Sequence, residues 1–402
     1  MTLFQDESES ITPADLIELA AQDGFHGNLW QVYLTLLLVG DENAFTLRAE
    51  GRGEVQGGMR EAALQDLHTF HKLFSLDAKE VAARFNIPEN AYLLCFEAEP
   101  VRPENFSTFI RDRIQTLSEA LGEAGDAEEM LSRLLDFYHS VGVGTIGLHK
   151  AFRIEGGHEK RTPAQLVPIR NISHVSLEDL VGYERQKDAL VRNTKAFVEG
   201  RSANNVLLYG DAGTGKSTSI KAIANQFYSE GLRVIEVYRH QFKDIHDVIT
   251  QIKNRNYKFI LYMDDLSFED FETEYKYLKA VIEGGLEKRP KNVLVYATSN
   301  RRHLVKERFS DKASLDEDDI RHSDTVQEKL SLAARFGLPI YFGPPGRKEF
   351  NAVVETLAQR CGITMPKETL IAEATKWEIA HGGLSGRCAQ QFIDDLLSGS
   401  SV

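Results

Sequence analysis

The chain has 402 residues, 42% of them hydrophobic, which excludes an intrinsically disordered protein and is enough for two or three domains. Its formal net charge is −13, and residues 1–170 carry most of it, with 15 basic and 27 acidic side chains. Because such a surface repels phosphates, the first 170 residues are not expected to bind nucleic acid.

The cysteines and the N-terminal residues indicate the compartment. Cys95, Cys361 and Cys388 lie far apart in the sequence, which excludes a disulfide framework or a zinc-ligand spacing and is typical of a reducing environment. The opening residues MTLFQDESES lack the basic stretch of a secretory signal. The most apolar run, Leu34–Val39, is too short to span a bilayer. We therefore predict a cytoplasmic protein with no membrane partner.

Residues 1–165 are predicted to form an acidic, mainly helical N-terminal domain. Apolar residues recur at helical spacing in Ala63–Phe74, Asn105–Leu121 and Ala127–Tyr138. Glycine-rich stretches at 51–58 and 142–157 separate the helical segments, and the run Ala91–Glu97 is compatible with a short strand. This part of the chain contains no motif for chemistry, so we assign to it the binding of an unidentified protein client.

The pattern changes after a linker predicted at residues 166–176, which contains Pro168. Residues 177–343 alternate β-rich runs with amphipathic helices, which predicts an α/β domain with a five-stranded parallel sheet. Residues 344–402 are helical again and predict a small helical lid domain. The five β-rich runs are Asn205–Tyr209, Arg233–Val237, Lys258–Met263, Asn292–Thr298 and Pro339–Phe342.

A glycine-rich loop between the first β-rich run and a helix is the strongest motif. Its sequence, GDAGTGKS, matches G-x-x-x-x-G-K-[ST] at every fixed position. The glycines let backbone N–H groups point at phosphate oxygens, and the helix N-terminus adds partial positive charge. Lys216 is expected to reach the β- and γ-phosphates, and Ser217 to bind Mg²⁺. We therefore predict that ATP and Mg²⁺ are bound by Gly210, Asp211, Ala212, Gly213, Thr214, Gly215, Lys216, Ser217 and Thr218.

Two carboxylates end the third β-rich run, KFILYMDD, and ligands of open α/β sheets bind at such strand ends. Asp264 is predicted to hold Mg²⁺ and Asp265 to polarise the attacking water. A solvated transition from strand to loop is the alternative. A glutamate is usual at the position of Asp265, and the shorter side chain leaves slow hydrolysis open. Glu269 and Asp270 lie close enough in sequence to compensate.

From about Leu177 to the C-terminus, the chain resembles an AAA+ ATPase module, and more closely a bacterial family of AAA+ proteins of unknown function. The sequences that carry this resemblance are LVGYERQKDALVRNTKAF, NVLLYGDAGTGKS, FILYMDDLSFED, VLVYATSNRRHL, DTVQEKLSLAARFGL and LSGRCAQQFIDDLL. The resemblance implies a helical lid and the hydrolysis of ATP as the energy source. It also implies a sheet in which the five strands, numbered in chain order, lie in the order 5-1-4-3-2.

The resemblance also implies roles for individual residues. It places Val181, Gly182 and Tyr183 against adenine and makes Asn300 the polar sensor that orients the attacking water. It implies that Arg335 reaches the γ-phosphate of a neighbouring subunit and that Arg387 contacts the phosphate within its own chain. A guanidinium suits both tasks because it stabilises spreading negative charge through paired hydrogen bonds. Arg335 as a charge at a helix C-terminus and Arg387 as a surface residue stay open as alternatives.

These features together predict an ATPase that couples hydrolysis to conformational change or to remodelling of an unidentified client. Because Arg335 is expected to act on a neighbour, we predict a homo-oligomer when ATP is bound. A nucleotide-gated binding module or scaffold with little turnover is the alternative, and Asp265 in place of glutamate favours it. A DNA-loading role is a third option, which the 32 basic and 33 acidic side chains of residues 171–402 neither support nor exclude.

Overall fold

The computed structural model describes residues 3–4, 11–86, 92–97, 101–157, 162–170, 172, 175–266, 274–283, 290–300 and 335–399. The chain divides into two compact units. The first comprises residues 1–151, 167–171 and 254–256, and the second comprises residues 152–166, 172–253 and 257–402. None of the helices in these described ranges is both long enough and apolar enough to cross a membrane.

The first unit contains the helices that the apolar spacing predicts. Side-chain caps fix where several of them begin: the Thr12 hydroxyl accepts a hydrogen bond from the Asp15 N–H, and the Asn43 and Asp77 side chains act in the same way. The helices are α1 (Pro13–Asp23), α2 (Leu29–Gly40), α3 (Ala44–Arg52), α4 (Gly58–Phe74), α5 (Ala78–Phe85), α6 (Thr108–Gly122), α7 (Ala127–Ser140) and α8 (Gly144–Leu148).

Aromatic side chains fill the core of the first unit. Trp30, Phe45 and Tyr138 are fully buried. The Trp30 indole N–H donates to the Leu73 carbonyl at 2.9 Å, and the Tyr138 hydroxyl donates to the Leu38 carbonyl at 2.8 Å. Burial of these large rings therefore leaves neither polar group unpaired.

The run Ala91–Glu97, which is compatible with a short strand by its sequence, does not form one over its described residues 92–97. Tyr92–Leu94 form a 3₁₀ helix, and within the described residues 92–97 the only ladder contact is an isolated antiparallel bridge between Gly27 and Phe96. A single bridge pairs too few backbone groups to make a strand, so the apolar side chains of this stretch pack from a turn. Leu93, for example, is fully buried.

The segment 254–256 belongs to the first unit through a buried arginine. The guanidinium of Arg255 donates from Nε and Nη2 to both carboxylate oxygens of Glu50, each at 2.8 Å, and from Nη1 to Glu42 at 3.1 Å. The Arg255 side chain is 7% exposed and that of Glu50 is 2% exposed. A bidentate pair at this depth is screened little by water.

The second unit is built on a seven-stranded sheet. Its strand order is β2-β1-β4-β5-β6-β3-β7, and the pairs β4–β5, β5–β6, β6–β3 and β3–β7 are parallel. The strands are β1 (Ala151–Gly157), β2 (Thr162–Pro168), β3 (Val206–Gly210), β4 (Leu232–Glu236), β5 (Lys258–Met263), β6 (Val293–Ser299) and β7 (Leu338–Phe342).

The sheet corrects the predicted strand count. All five predicted strands are present, and their order, β7-β3-β6-β5-β4, is the 5-1-4-3-2 order that the resemblance implies. Two further strands, β1 and β2, extend the sheet beside β4. They lie in the segments assigned above to the N-terminal domain (1–165) and the linker (166–176). Residues 152–166 belong to the second unit because their backbone groups complete the sheet.

Helices of the second unit flank these strands, and three of them form a C-terminal helical segment with its own core. The helices are α9 (Glu184–Val198), α10 (Lys216–Phe227), α11 (Ile245–Ile252), α12 (Glu274–Glu283), α13 (Arg347–Arg360), α14 (Lys367–His381) and α15 (Gly386–Leu397). The buried core shared by α13, α14 and α15 consists of Phe350, Val354, Ala358, Leu370, Ala374, Cys388, Ala389, Phe392 and Ile393.

The buried Arg255–Glu50 pair yields a prediction for the first unit. Arg255→Met keeps the length of the side chain but leaves the Glu50 carboxylate buried without its guanidinium, which should cost about 3–5 kcal/mol of unfolding free energy. Arg60→Met, which breaks the exposed pair with Glu128, is the control and should cost at most about 1 kcal/mol. Urea unfolding of both variants measures the difference. Equal losses would contradict the assigned role of Arg255.

Candidate functional site

Steric limits require glycine at two positions of the loop between β3 and α10. Gly210 has φ +134°, and a Cβ there would lie 2.0 Å from the Phe342 carbonyl oxygen. Gly215 has φ +89°, and a Cβ there would lie 2.1 Å from Cδ1 of Leu180. At Gly210 no larger residue fits without moving the backbone of β7, whereas at Gly215 the positive φ disfavours any residue with a side chain and the tip of Leu180 would have to move. The glycines of the motif therefore allow the loop to pass close to β7 on one side and to Leu180 on the other.

Lys216 opens α10 and turns its side chain back over the loop. Its Nζ donates to the carbonyl oxygens of Gly210 at 2.9 Å and Asp211 at 2.6 Å, and to Oδ1 of Asn300 at 3.1 Å. Burial lowers the pKa of Lys216, and the carboxylates of Asp211, Asp265 and Asp264 oppose this shift. Three acceptors around one nitrogen match the three donors of an ammonium group.

Asp264, at the carboxyl end of β5, lies beside the start of α10. Its Oδ1 accepts hydrogen bonds from the Ser217 hydroxyl at 2.7 Å and the Thr298 hydroxyl at 2.5 Å. Burial acts to raise the pKa of Asp264, but hydrogen bonds from Thr298, Ser217, Tyr262 and the Asp265 N–H together outweigh it and hold this pKa below its ordinary value. Asp264 is therefore a carboxylate at neutral pH.

The donor set around Asp264 fits Mg²⁺. This ion prefers oxygen ligands and is usually held by one or two carboxylates together with substrate phosphates and water. The Asp264 carboxylate and the Ser217 hydroxyl supply two such oxygens next to the phosphate-type loop. No cluster of three or more His, Cys, Asp or Glu side chains suited to a metal occurs among the described residues. Ser217 and Asp264 are thus the residues that would hold the ion.

Asp265 and Asn300 form a second contact at the same edge of the sheet. The Asn300 amide donates from Nδ2 to Oδ1 of Asp265 at 2.9 Å, while its own Oδ1 accepts from Lys216. Asp265 has φ +48°, which is unfavourable for a residue with a side chain, and its N–H donates to the Thr298 hydroxyl at 2.9 Å. The Thr298 hydroxyl therefore contacts both acidic residues.

A cavity of about 560 Å³ joins these groups to an apolar wall, and its size is in the usual range for a small-molecule site. Its polar end comprises loop residues 212–217, the two aspartates, Asn300 and Arg387, whereas Gly210 and Asp211, also predicted to bind ATP, do not line it. Its remaining walls come from residues 179–181 and Tyr183, from the turn before α13, and from α13 and α15. The other lining residues are Asp179, Leu180, Val181, Tyr183, Ala212, Gly213, Thr214, Gly215, Thr218, Thr298, Pro345, Val353, Leu357, Gly386 and Gln390.

Tyr183 fixes the wall in which Val181 also lies. Its φ is +61°, its hydroxyl donates to the Gly343 carbonyl at 2.7 Å, and its ring lies 5.1 Å from that of Phe342. Burial raises the pKa of Tyr183 to about 12, so the hydroxyl stays a donor at neutral pH. Gly182, with φ +80°, forms the turn between Val181 and Tyr183 but does not line the cavity.

The two candidate arginines lie in different places. Arg387, at the start of α15, lines the cavity, and its backbone N–H donates to the Gly213 carbonyl at 3.4 Å. Arg335 does not line it, because it precedes β7 and so lies at the opposite, amino end of that strand. The five residues of β7 alone separate the two edges by roughly 17 Å. Glu269 and Asp270, named above as possible compensation for Asp265, lie outside the described residues.

Sequence reasoning missed several residues of this site. Thr298 is the most important, and its position two residues before Asn300 in a buried strand makes it resemble an ordinary β-branched filler. The others are wall residues to which the sequence assigned no role: Asp179, Leu180, Pro345, Val353, Leu357, Gly386 and Gln390.

A phosphate-type loop between β3 and α10, an acidic end on β5 and the observed strand order define a P-loop protein of the AAA+ class. Residues 148–400 match the model of a family described as "Protein of unknown function (DUF815)". The match covers more than half of the chain, which therefore belongs to this family. The class and the unknown-function family expected from the sequence are thus confirmed.

Comparison with individual proteins gives more distant likenesses. The chain is 36% identical over 77 residues to the replication factor C large subunit of Methanococcus vannielii, which is 19% of this chain and 15% of that protein. It is 17% identical to the RuvB Holliday junction branch migration motor of Thermotoga maritima, over 56% of this chain and 64% of that one, with a TM-score of 0.39. To a point mutant of this RuvB the chain is 16% identical, over 56% of this chain and 65% of that one, with a TM-score of 0.40. The chain thus spans less than two thirds of each.

The double contact of Thr298 yields a prediction. Thr298→Val replaces the hydroxyl by a methyl group of similar size, so Asp264 loses a donor and the Asp265 N–H loses its acceptor. We expect a loss of about 1–3 kcal/mol in unfolding free energy at pH 7, measured by urea unfolding. Thr298→Ser keeps the hydroxyl and should lose less than Thr298→Val. Equal losses in the two variants would contradict the assigned contacts.

The same pair of variants has an expected pH dependence. The pKa of Asp264 is lowered in the folded protein, so its stabilisation is present above the ordinary value of 3.8 and disappears as pH falls through the lower, folded value. The difference in stability between the Val variant and the parent should therefore shrink as the pH is lowered below that ordinary value. A difference that grows in acid would show that another group is responsible.

Proposed function

We propose that the chain binds ATP with Mg²⁺ in the cavity and hydrolyses the γ-phosphate. The observation that carries this proposal is the convergence of Lys216, Ser217, Asp264, Asp265 and Asn300 at one end of a single cavity. A cation, a hydroxyl–carboxylate pair and a second carboxylate are the groups that phosphoryl transfer to water requires.

Lys216 would bind the β- and γ-phosphate oxygens. Its ammonium is held by carbonyl oxygens of the loop itself, so a phosphate needs only to exchange these neutral acceptors for charged ones. Ser217 and Asp264 would hold Mg²⁺, which when bound neutralises charge on the phosphate oxygens. The backbone N–H groups at the start of α10 add the partial positive charge of a helix N-terminus.

Asp265 would orient the attacking water and accept its proton, with Asn300 as its partner. The Asn300 amide donates to the Asp265 carboxylate and accepts from Lys216, so it links the phosphate-binding cation to the water-orienting acid. The carboxylate of Asp265 thereby has a fixed direction before substrate arrives, which favours the reactive geometry.

Residues 344–402 would act as a lid, because α13 and α15 supply walls of the cavity. Arg387 would stabilise the γ-phosphate charge within its own chain. Arg335, at the far edge of the sheet, would reach the phosphate of a neighbouring subunit, and ATP would therefore favour a homo-oligomer. Hydrolysis would then drive motion of the lid and remodel a client bound through residues 1–165.

Phosphate release from ATP measures the proposed activity. Asp265→Asn should keep ATP binding but lower turnover by at least about tenfold, because the acceptor of the water proton is lost. Lys216→Ala should weaken ATP binding as well as turnover. Asp264→Ala should abolish the stimulation of turnover by Mg²⁺. Equal background rates in all of these variants and in the parent would overturn the assignment as an ATPase.

The second candidate function is a nucleotide-gated binding module with little turnover. It is favoured by the short Asp265 side chain, whose oxygen is already paired with the Asn300 amide. In that case the parent protein would bind ATP but release phosphate no faster than Asp265→Asn. Measuring binding and release on the same preparation separates the two functions.

A mixing experiment tests Arg335. Arg335→Ala subunits keep an intact phosphate loop but lack Arg335, and Lys216→Ala subunits keep Arg335 but lack the lysine of the loop. Each variant alone should therefore be nearly inactive. If Arg335 acts on a neighbour, a mixture of the two should recover phosphate release, because mixed assemblies contain complete sites. A mixture no more active than its separate components would contradict action between subunits. The masses of the parent with and without ATP and Mg²⁺ provide the parallel measure of assembly.

A further inference from the structure

One wall of the cavity is formed by Asp179, Leu180, Val181 and Tyr183, which belong to a short stretch, residues 177–183, that we call the strap. Its start is fixed on both sides: the Ser176 N–H donates to Oδ2 of Asp179 at 2.6 Å, and the Asn225 amide of α10 donates to the Val175 carbonyl at 2.9 Å. Leu180 then lies against Gly215 of the phosphate loop. The strap is therefore anchored to the same helix and loop that would hold the phosphates.

Helix α13 forms the facing wall with Val353 and Leu357. Residues three and four apart lie on one side of a helix, so Arg360 continues this face one turn beyond Leu357. There its guanidinium meets the strap. Nη1 lies 3.0 Å from Oδ1 of Asp179, and Nη2 donates to the Glu178 carbonyl at 2.9 Å. Arg360 thus joins the two walls at the edge of the cavity.

We propose that Arg360 is a positioning residue that clasps the strap and sets how long a nucleotide stays bound. The inference rests on the proposed function of the cavity and adds a control of nucleotide release. A ligand enclosed between the strap and α13 leaves more easily when these walls separate. Separation requires that the guanidinium give up a carboxylate and a backbone carbonyl together.

We call the contacts of Arg360 with the Asp179 carboxylate and the Glu178 carbonyl the clasp, and their geometry distinguishes them from an ordinary surface ion pair. The side chains of Arg360 and Asp179 are 40% and 41% exposed, and a simple pair at that exposure contributes little. Here the planar fork of the guanidinium also binds backbone of the strap, and the Asp179 carboxylate is itself held by the Ser176 N–H. A lysine has no such fork and cannot hold both acceptors in this geometry.

Helix α13 offers a matched control. Arg347 pairs with Glu378 of α14 at 2.9 Å, within the C-terminal helical segment, and neither residue lines the cavity. Arg347→Ala therefore removes an arginine of similar exposure from the same helix. It leaves the strap intact, so it reports any general loosening of the helical segment.

Release of a fluorescent N-methylanthraniloyl-ATP, chased with excess ATP in the presence of Mg²⁺, is the direct test. Arg360→Ala should release the analogue about three- to tenfold faster than the parent, in keeping with a charged contact to two acceptors. Asp179→Asn should speed release in the same direction, and the double variant should add little, because the two residues act as one contact. Arg360→Lys should lie between Arg360→Ala and the parent, and Arg347→Ala should match the parent.

Steady-state kinetics separate positioning from catalysis. Arg360→Ala should raise KM for ATP without lowering kcat, because the groups that react with the phosphate are unchanged. Release from Arg360→Ala at the parent's rate would overturn the clasp, as would equal acceleration in Arg347→Ala. A parent that fails to bind the analogue would overturn the proposed function and the clasp with it. Binding by the parent with unchanged release from Arg360→Ala overturns the clasp alone.

Discussion

The ammonium group of Lys216 is the charge around which the site is organised. It lies in a place where burial disfavours a cation, and three oxygen acceptors with nearby carboxylates compensate for that cost. Two of the acceptors belong to the loop itself, so the lysine also fixes the loop's shape. The third belongs to Asn300 on the neighbouring strand β6, which in turn orients Asp265. One side chain thus connects three strand ends.

Unfavourable backbone geometry is concentrated at the same place. Among the described residues, three non-glycine residues have positive φ, and two of them, Tyr183 and Asp265, line the cavity. Each conformation costs on the order of 1–3 kcal/mol and persists only where contacts enforce it. The Gly343 carbonyl holds Tyr183, and Thr298 with Asn300 holds Asp265. Such enforced geometry is common where a site must be arranged before its ligand arrives.

Sequence reasoning predicted the parts of this protein that depend on local pattern. The loop motif needs only its own residues, and buried parallel strands are continuous apolar runs, so Lys216, Asp264 and five strands were predictable. Strand β1 was not, because its sequence, AFRIEGG, ends in the glycine-rich stretch that suggested a break. Thr298 and Arg360 were missed for a different reason. They contact residues 34 and 181 positions away, and no local pattern encodes such a contact.

Calorimetric titration of ATP into the protein, with Mg²⁺ and then with EDTA, measures whether the loop around Lys216 binds a triphosphate. We expect saturable binding of one ATP per chain that weakens when the metal is removed, and little heat from Lys216→Ala under the same conditions. An absence of heat from the parent, or equal heat from Lys216→Ala, would show that the loop around Lys216 does not bind a triphosphate.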